Sequence, residues 1–164
     1  MSLLEVCQWI QDSYVGTEIR ESILLFPLVE TAHVIGLTVS VGFILMTDLR
    51  LIGVVMRREP FEDVHEQLRP WMIAGFVSMF ISGALLFWSE AAKCYNSPTF
   101  RIKILFLLLA GINAFIFETT IGRRAQGWNL FSTTPAQAKF TGWASLICWT
   151  GVIIFGRWTA YGMK

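Results

Sequence analysis

Hydrophobic residues in this chain are gathered into four long stretches, and most charged residues lie in the segments between them. The stretches cover residues 23–46, 71–88, 102–117 and 140–158. A helix needs about 20 apolar residues to cross the hydrocarbon core of a bilayer. Because lipid cannot hydrogen-bond to exposed backbone groups, such stretches cross it as helices. The pattern therefore predicts an all-α fold, an integral membrane four-helix bundle with up-down topology.

The first 22 residues form a more polar segment ahead of the first span. Leu3, Val6, Cys7, Ile10 and Tyr14 follow the spacing of one amphipathic helix, which is too short to cross a bilayer. We expect residues 1–22 to lie flat in the membrane interface, or to fold as a cap on the bundle, and residues 23–164 to form the membrane domain. The segment is acidic, unlike a basic leader, so no cleavable signal peptide is expected.

Composition and charge support a membrane protein and argue against a nucleic-acid-binding protein or a paired-cysteine metal site. Charged residues make up 15% of the 164 residues and hydrophobic residues 54%, whereas soluble domains carry about 25% charged residues. The net charge of +1 gives no indication of a nucleic-acid partner. Cys7, Cys94 and Cys148 have no paired metal-binding spacing. Cys148, inside an apolar stretch, is expected to be a packing residue.

Tryptophans and arginines indicate how the spans sit in the membrane. The tryptophans that fall mostly near span ends, as in an aromatic belt, are Trp71, Trp88, Trp128, Trp143, Trp149 and Trp158. Paired arginines, 57–58 and 123–124, lie in two short segments on one side. Positively charged short loops favour the cytoplasm, so both termini are predicted to be non-cytoplasmic.

The candidate chemistry lies inside the first span. Glu30 and His33 are three residues apart, which places them on one helix face, and the helix rise puts His33 near the membrane midplane. Ionisable groups at that depth are costly and usually face the bundle interior, so we expect Glu30 to be buried beside His33. Ser78, Ser82 and Asn113 reach a similar depth and complete a possible polar layer.

Three uses of this layer compete. His33 could ligate a haem b iron or a copper ion, since imidazole suits both metals. Glu30 and His33 could instead relay protons, or only hydrogen-bond between helices, with no cofactor bound. No other histidine lies at this depth. The alternatives are then a five-coordinate iron, a methionine ligand such as Met79, or His33 of a second copy across a two-fold axis.

A second Glu-x-x-His pair, Glu62 and His65, precedes the second span. It lies on the same predicted side as Glu118, so Glu62, His65 and Glu118 could form a separate metal site; the alternative is a solvated polar loop. The helix rise separates this group from His33 by on the order of 15 Å or more, which excludes one shared metal centre.

Small residues in the first two spans suggest close contacts between helices. Ala32, Gly36 and Ser40 form one ladder of small residues at helical spacing, and a second consists of Ala74, Ser78 and Ser82. Such ladders allow close helix approach in lipid, and we expect the first to support a homo-oligomer.

The polar residues beside the membrane exits are expected to be structural. Asp48 and Arg50 are expected to pair with Arg69 or Glu66, and residues 69–71 (RPW) are expected to start the second span.

Several short strings carry a resemblance. Residues 30–36 (ETAHVIG), 48–50 (DLR) and 100–103 (FRIK), together with Asn113, resemble a family of small bacterial four-helix membrane proteins of unknown function. The first span is more distantly similar to the membrane protoporphyrinogen oxidase and CopD-type families. In the oxidase family the histidine matching His33 is associated with haem. Glu118 stands where some relatives are expected to carry a second histidine, so this chain departs from a two-histidine pattern.

The resemblance implies a multi-pass protein of the bacterial inner membrane. The residues that could contact a cofactor are His33, Glu30, Asn113 and Met79. We expect the protein to bind haem b or a metal through His33 and to act in electron transfer, as a homo-oligomer or as a subunit of a membrane complex. The alternative is a non-redox component, either a small transporter-like unit or a stabilising subunit. Catalytic residues are not predicted, because no nucleophile with a matching base is evident.

Overall fold

The computed structural model describes residues 2–56, 58–121 and 135–162, and these ranges are helical apart from short connections. The α-helices are α1 (Leu3–Gln11), α2 (Tyr14–Glu21), α3 (Leu25–Ile52), α4 (Phe61–Ser89), α5 (Ala91–Asn96), α6 (Pro98–Ile116) and α7 (Ala136–Gly162). A π-helical turn, Phe117–Ile121, continues α6. Four helices are long and apolar enough to cross a membrane: α3, α4, α6 with its extension to Thr120, and α7. The predicted all-α membrane bundle is confirmed.

The amino-terminal segment folds as two helices rather than one. Ser2 and Glu5 form a capping box that starts α1, with each side chain bonded to the other's backbone amide. The chain then breaks at Asp12, and the Ser13 hydroxyl accepts from the Gly16 amide to start α2. A single helix up to Tyr14 was therefore the wrong expectation, because Ser13, which can cap a new helix, follows shortly after the end of α1.

These two short helices pack against the end of the bundle. An Arg20 guanidinium nitrogen donates to the Ser89 carbonyl at 3.4 Å. The Trp88 indole donates to the Ser13 hydroxyl at 2.8 Å. The segment thus forms a cap on α4 and α5, while Trp9 on its outer face stays exposed.

The second membrane helix begins ten residues earlier than its apolar stretch. It starts at Phe61 after Pro60, with Glu62 and Asp63 in the first turn, where acidic residues stabilise the helix dipole. Pro70 therefore lies inside α4 rather than at its start, which corrects the expectation for residues 69–71. The polar residues between Phe61 and Pro70 hid this extension from the hydrophobic pattern.

The four long helices surround two apolar clusters. α3 packs against α4 and α7, and α7 also packs against α6. The central cluster joins α4, α6 and α7 through Met79, Ala110, Cys148, Trp149 and Val152. Cys148 is a buried packing residue as predicted.

A second cluster closes the opposite end of the bundle from the amino-terminal cap. It consists of Leu51, Phe61, Phe117 and Ala138, which come from α3, α4, the π-helical turn and α7.

The backbones of α3 and α4 approach each other closely. A Cβ atom added to Gly36 would lie 2.9 Å from the Met79 amide nitrogen, and one added to Gly75 would lie 2.6 Å from the Ser40 amide nitrogen. Ser40 is completely buried there and donates to the Gly36 carbonyl at 2.8 Å. The Gly36–Ser40 part of the first ladder thus serves packing within one chain, while Ala32 is exposed. The expectation that this ladder forms an oligomer interface was wrong.

The aromatic belt is present in part. Trp71, Trp88, Trp143 and Trp158 have exposed side chains, as a lipid-facing belt requires. Trp149 is instead buried in the central cluster, with its ring tilted by 54° against that of Phe76 and the ring centroids 5.4 Å apart. Trp128 lies outside the described residues.

The Gly36 contact leads to a stability prediction. Gly36→Leu should destabilise the bundle by about 2 kcal/mol or more, because the new side chain meets α4 backbone that cannot move aside. Reversible unfolding in mixed detergent micelles, followed by circular dichroism, measures the change. Gly42→Leu is the matched control, since a Cβ atom at Gly42 on the same helix would meet nothing within 4 Å. Equal stabilities for the two variants would contradict this account of the packing.

Candidate functional site

His33 faces α4 from about 12 Å inside α3, counting eight residues from Leu25 at 1.5 Å each. It belongs to the stripe of α3 residues that contacts α4, and this stripe continues through Gly36 to Ser40. The ring can approach the α4 backbone because residue 83 is glycine: a Cβ atom there would lie 3.0 Å from His33 Cε1. The same packing that joins the helices therefore fixes the imidazole.

The hydrogen bonds of His33 decide its tautomer. Nδ1 lies 3.0 Å from the Met79 carbonyl oxygen and 3.2 Å from Ser82 Oγ. A carbonyl oxygen can only accept, so Nδ1 carries the hydrogen and donates it. Ser82 donates its own hydrogen to the Ser78 carbonyl at 2.6 Å, which leaves its oxygen free to accept. In the neutral imidazole, Nε2 then keeps its lone pair.

Two charged groups act on His33. Glu30 lies one turn earlier on α3, and Lys103 projects from α6. Glu30 is exposed, so the prediction that it is buried was wrong. Glu30 still interacts electrostatically with the imidazole, so the shared face was placed correctly.

The remaining members of the predicted polar layer separate. Asn113 Nδ2 donates to the Thr141 carbonyl at 3.1 Å and joins α6 to α7. Met79 meets His33 through its carbonyl oxygen, while its side chain belongs to the central apolar cluster. Ser82 does contact His33, but the Ser78 side chain is exposed. Helix rise gives the position of a residue along its own helix, but it does not tell which way each helix is rotated.

Two cavities lie between long helices, and His33 lines neither of them. One, of about 600 Å³, is an open groove between α6 and α7 beside Asn113, Thr141 and Phe140. The other, of about 100 Å³, lies between α3 and α7 beside Asp48 and Trp149.

The second predicted site is partly assembled. His65 Nε2 lies 3.0 Å from Glu118 Oε1, and the imidazole stacks on Phe61 with centroids 5.5 Å apart. Glu118 sits in the π-helical turn, which widens the helix locally. In the described ranges no cluster of three His, Cys, Asp or Glu residues could hold a metal, so Glu62 does not complete the set. The pair lies in helical segments rather than in a solvated loop.

The two histidines belong to different ends of the bundle. His65 precedes Ser82, the contact of His33, by 17 residues along α4, which corresponds to about 25 Å. The sequence-based exclusion of a single shared metal centre agrees with this separation.

Asp48 is a buried polar residue whose environment was not predicted. Only 6% of its surface is exposed, and it hydrogen-bonds with Ser145 of α7. Arg50 donates through Nε to the Glu59 carbonyl at 2.9 Å instead. The expected pairing with Arg69 or Glu66 was therefore wrong. Thr141 and Ser145, spaced four residues apart on the fourth span, are the sequence signal that could have revealed a polar partner face.

Cys94 lies in α5, outside the membrane helices and beneath the amino-terminal cap. Burial, reinforced by the neighbouring Glu90 carboxylate, raises the pKa of the Cys94 thiol to about 11. Because the thiolate is the reactive species, this thiol is protected from electrophiles. A redox role for Cys94 therefore has no support in the described structure.

The fold defines a class of protein: four apolar helices of sufficient length make this a multi-pass membrane protein. The chain matches a family of unknown function, DUF6644, over residues 7–162, and it belongs to that family. The resemblance to a family of unknown function is thus confirmed. No curated protein and no solved structure matches the chain.

The buried thiol gives a pH-dependent prediction. At mildly alkaline pH, Cys94 should react with iodoacetamide at least ~100-fold more slowly in the folded protein than in denaturant, because raising the thiol pKa from 9 to about 11 reduces the thiolate fraction about that much. The rate should keep rising as the pH increases. Mass spectrometry of a chain carrying Cys7→Ser and Cys148→Ala measures it. Similar rates in both states would contradict the burial of this thiol.

Proposed function

We propose that this protein binds haem b or a metal ion such as copper through Nε2 of His33 and takes part in electron transfer. The observation that carries the proposal is the bond from His33 Nδ1 to the Met79 carbonyl. Histidines that ligate metals almost always donate their other ring nitrogen to a backbone carbonyl or a carboxylate, which fixes the ring and raises its basicity. His33 has that arrangement, with Nε2 directed elsewhere.

The membrane location adds support. Ionisable side chains within transmembrane helices commonly mark ligand or ion sites, since placing such a group in lipid is energetically unfavourable. Gly83 provides the space that holds the ring against α4.

No described residue supports a role as second ligand, so the iron would be five-coordinate or its second ligand would come from another chain. Met79 is turned into the apolar cluster and Asn113 is bonded to α7, so neither supports a role as second ligand. The exposed residues beside His33 on α3, Glu30 and Val34, leave this surface open. A second copy related by a two-fold axis could present its own His33 there, which favours a homo-oligomer. A membrane complex with another subunit would serve equally.

The setting we propose is the bacterial inner membrane, with both termini outside the cytoplasm. The paired arginines of the short segments between spans support this orientation. Glu30, His33 and Lys103 would then lie in the half of the membrane that faces away from the cytoplasm.

A non-redox membrane component is the second candidate. It is favoured by the fact that both Nδ1 contacts of His33 reach α4 of the same chain, so the imidazole also stabilises helix packing. In that case His33 would be structural, and the chain would act as a small transporter-like unit or a stabilising subunit.

An absorption spectrum and a metal analysis of the detergent-purified protein test the proposal. We expect a reducible Soret band, or stoichiometric copper, that His33→Ala abolishes while His65→Ala leaves it unchanged. His65 is the matched control, because it lies about 25 Å away along α4. A ratio of one haem to two chains would indicate a shared site, and a ratio of one to one would indicate a five-coordinate iron or a second ligand from a different protein. A colourless, metal-free preparation of folded wild type would refute the proposal.

The second contact of His33 gives a finer prediction. Ser82→Ala should keep the bound group but shift its redox midpoint modestly, because the Met79 carbonyl continues to hold Nδ1 while one hydrogen-bond acceptor is lost. Spectroelectrochemical titration measures the shift. A midpoint unchanged in Ser82→Ala, with the same spectrum, would mean that this bond does not reach the bound group.

A further inference from the structure

Asp48 is the strongest unexplained polar group of the bundle. It lies four residues before the end of α3, about 6 Å along the helix from Ile52. Its carboxyl is buried against α7, where Ser145 hydrogen-bonds to it. Its Oδ2 atom is buried and has no hydrogen-bond partner in the described part of the chain. Native proteins rarely leave a buried carboxyl oxygen unpaired without a reason.

The carboxyl lines the crevice of about 100 Å³ between α3 and α7. The rest of that crevice is mainly apolar, with Val41, Ile44, Leu146 and Trp149 among its walls. Its rim includes Leu45 and Ile153, whose side chains are exposed on the outside of the bundle.

Charged groups near Asp48 do not neutralise it. On α3, the Arg50 side chain is directed to the Glu59 carbonyl. On α7, the groups that reach Asp48 are uncharged: Ser145 bonds to it, and Gly142 lets the helices approach. Among the described residues no charged side chain acts on this carboxyl. An unpaired carboxylate in such surroundings is strongly unfavourable, since its charge is neither hydrated nor balanced.

We propose that Asp48 is an intramembrane proton-binding site, reached through the crevice between α3 and α7. Proton binding forms an O–H bond on the unpartnered Oδ2 and removes the carboxylate charge, while Ser145 continues to bond to the carboxyl group. Release breaks that O–H bond and transfers the proton to a water molecule that enters the crevice, which restores the carboxylate. The site lies on the opposite side of the membrane domain from His33 and does not depend on a cofactor there.

A metal cation fits this crevice less well than a proton. Hard cations such as Ca²⁺ and Mg²⁺ take about six or more oxygen ligands. The side-chain oxygens offered here come from Asp48, Ser145 and Thr150, and the other walls are apolar. A proton needs only one of them.

Infrared spectroscopy of the protein in liposomes tests the proposal. At neutral pH we expect the C=O stretching band of a protonated carboxylic acid, shifted in D₂O, absent in Asp48→Asn and retained in Glu30→Gln. Glu30 is the matched control because it is the other carboxyl within α3 and is exposed. Ser145→Ala should shift the band without removing it, since a hydrogen bond to the carboxyl is lost.

Three outcomes would overturn the assignment. The band could persist in folded Asp48→Asn, be absent from wild type, or weaken when Na⁺ replaces K⁺, which would indicate a cation site. Circular dichroism establishes that each variant is folded, and Asp48→Glu should restore a band at a shifted frequency if Asp48→Asn proves unstable.

Discussion

The close approach of α3 and α4 at Gly36 and Gly75 is the constraint on which the rest of the structure depends. Without side chains at these positions the two backbones meet, and this contact fixes how α3 is rotated. His33, about one turn before Gly36, is then placed against the Met79 carbonyl. Asp48, eight residues after Ser40, points about 80° away from that stripe at ~100° per residue, and so reaches α7 instead. One helix contact thus places both intramembrane polar groups.

Several hydroxyl groups in this bundle form hydrogen bonds within their own helix. Ser40, Thr47 and Ser82 each donate to a carbonyl four residues earlier on their own helix. Such bonds remove the cost of a hydroxyl in lipid without linking helices. The polar groups that do join helices are therefore few, and they include His33, Asp48 and Asn113. His33 and Asn113 each donate to a backbone carbonyl of a neighbouring helix. Asp48 instead has one unpaired oxygen and lines a crevice.

Much of the candidate site was predictable as a list of residues but not as an arrangement. The separation of His33 from His65 follows from helix rise and agrees with the structure. The neighbours of His33 did not follow, because Ser78, Ser82 and Asn113 share its depth while only Ser82 shares its direction. Glu118 was matched to His65 by membrane side alone, and the π-helical turn brings the two side chains into contact.

The sequence by itself determined the class of the protein. Four long apolar stretches in lipid can only be helices, because each must satisfy its own backbone, and this requirement is local to each stretch. Tertiary structure decided which faces of those helices meet. Hydrophobicity cannot encode rotation in a membrane, since the lipid-facing and buried sides are both apolar. The rotation of α3 is set instead by the close packing of small residues such as Gly36 and Ser40. That rotation also buries Asp48 and leaves Glu30 exposed.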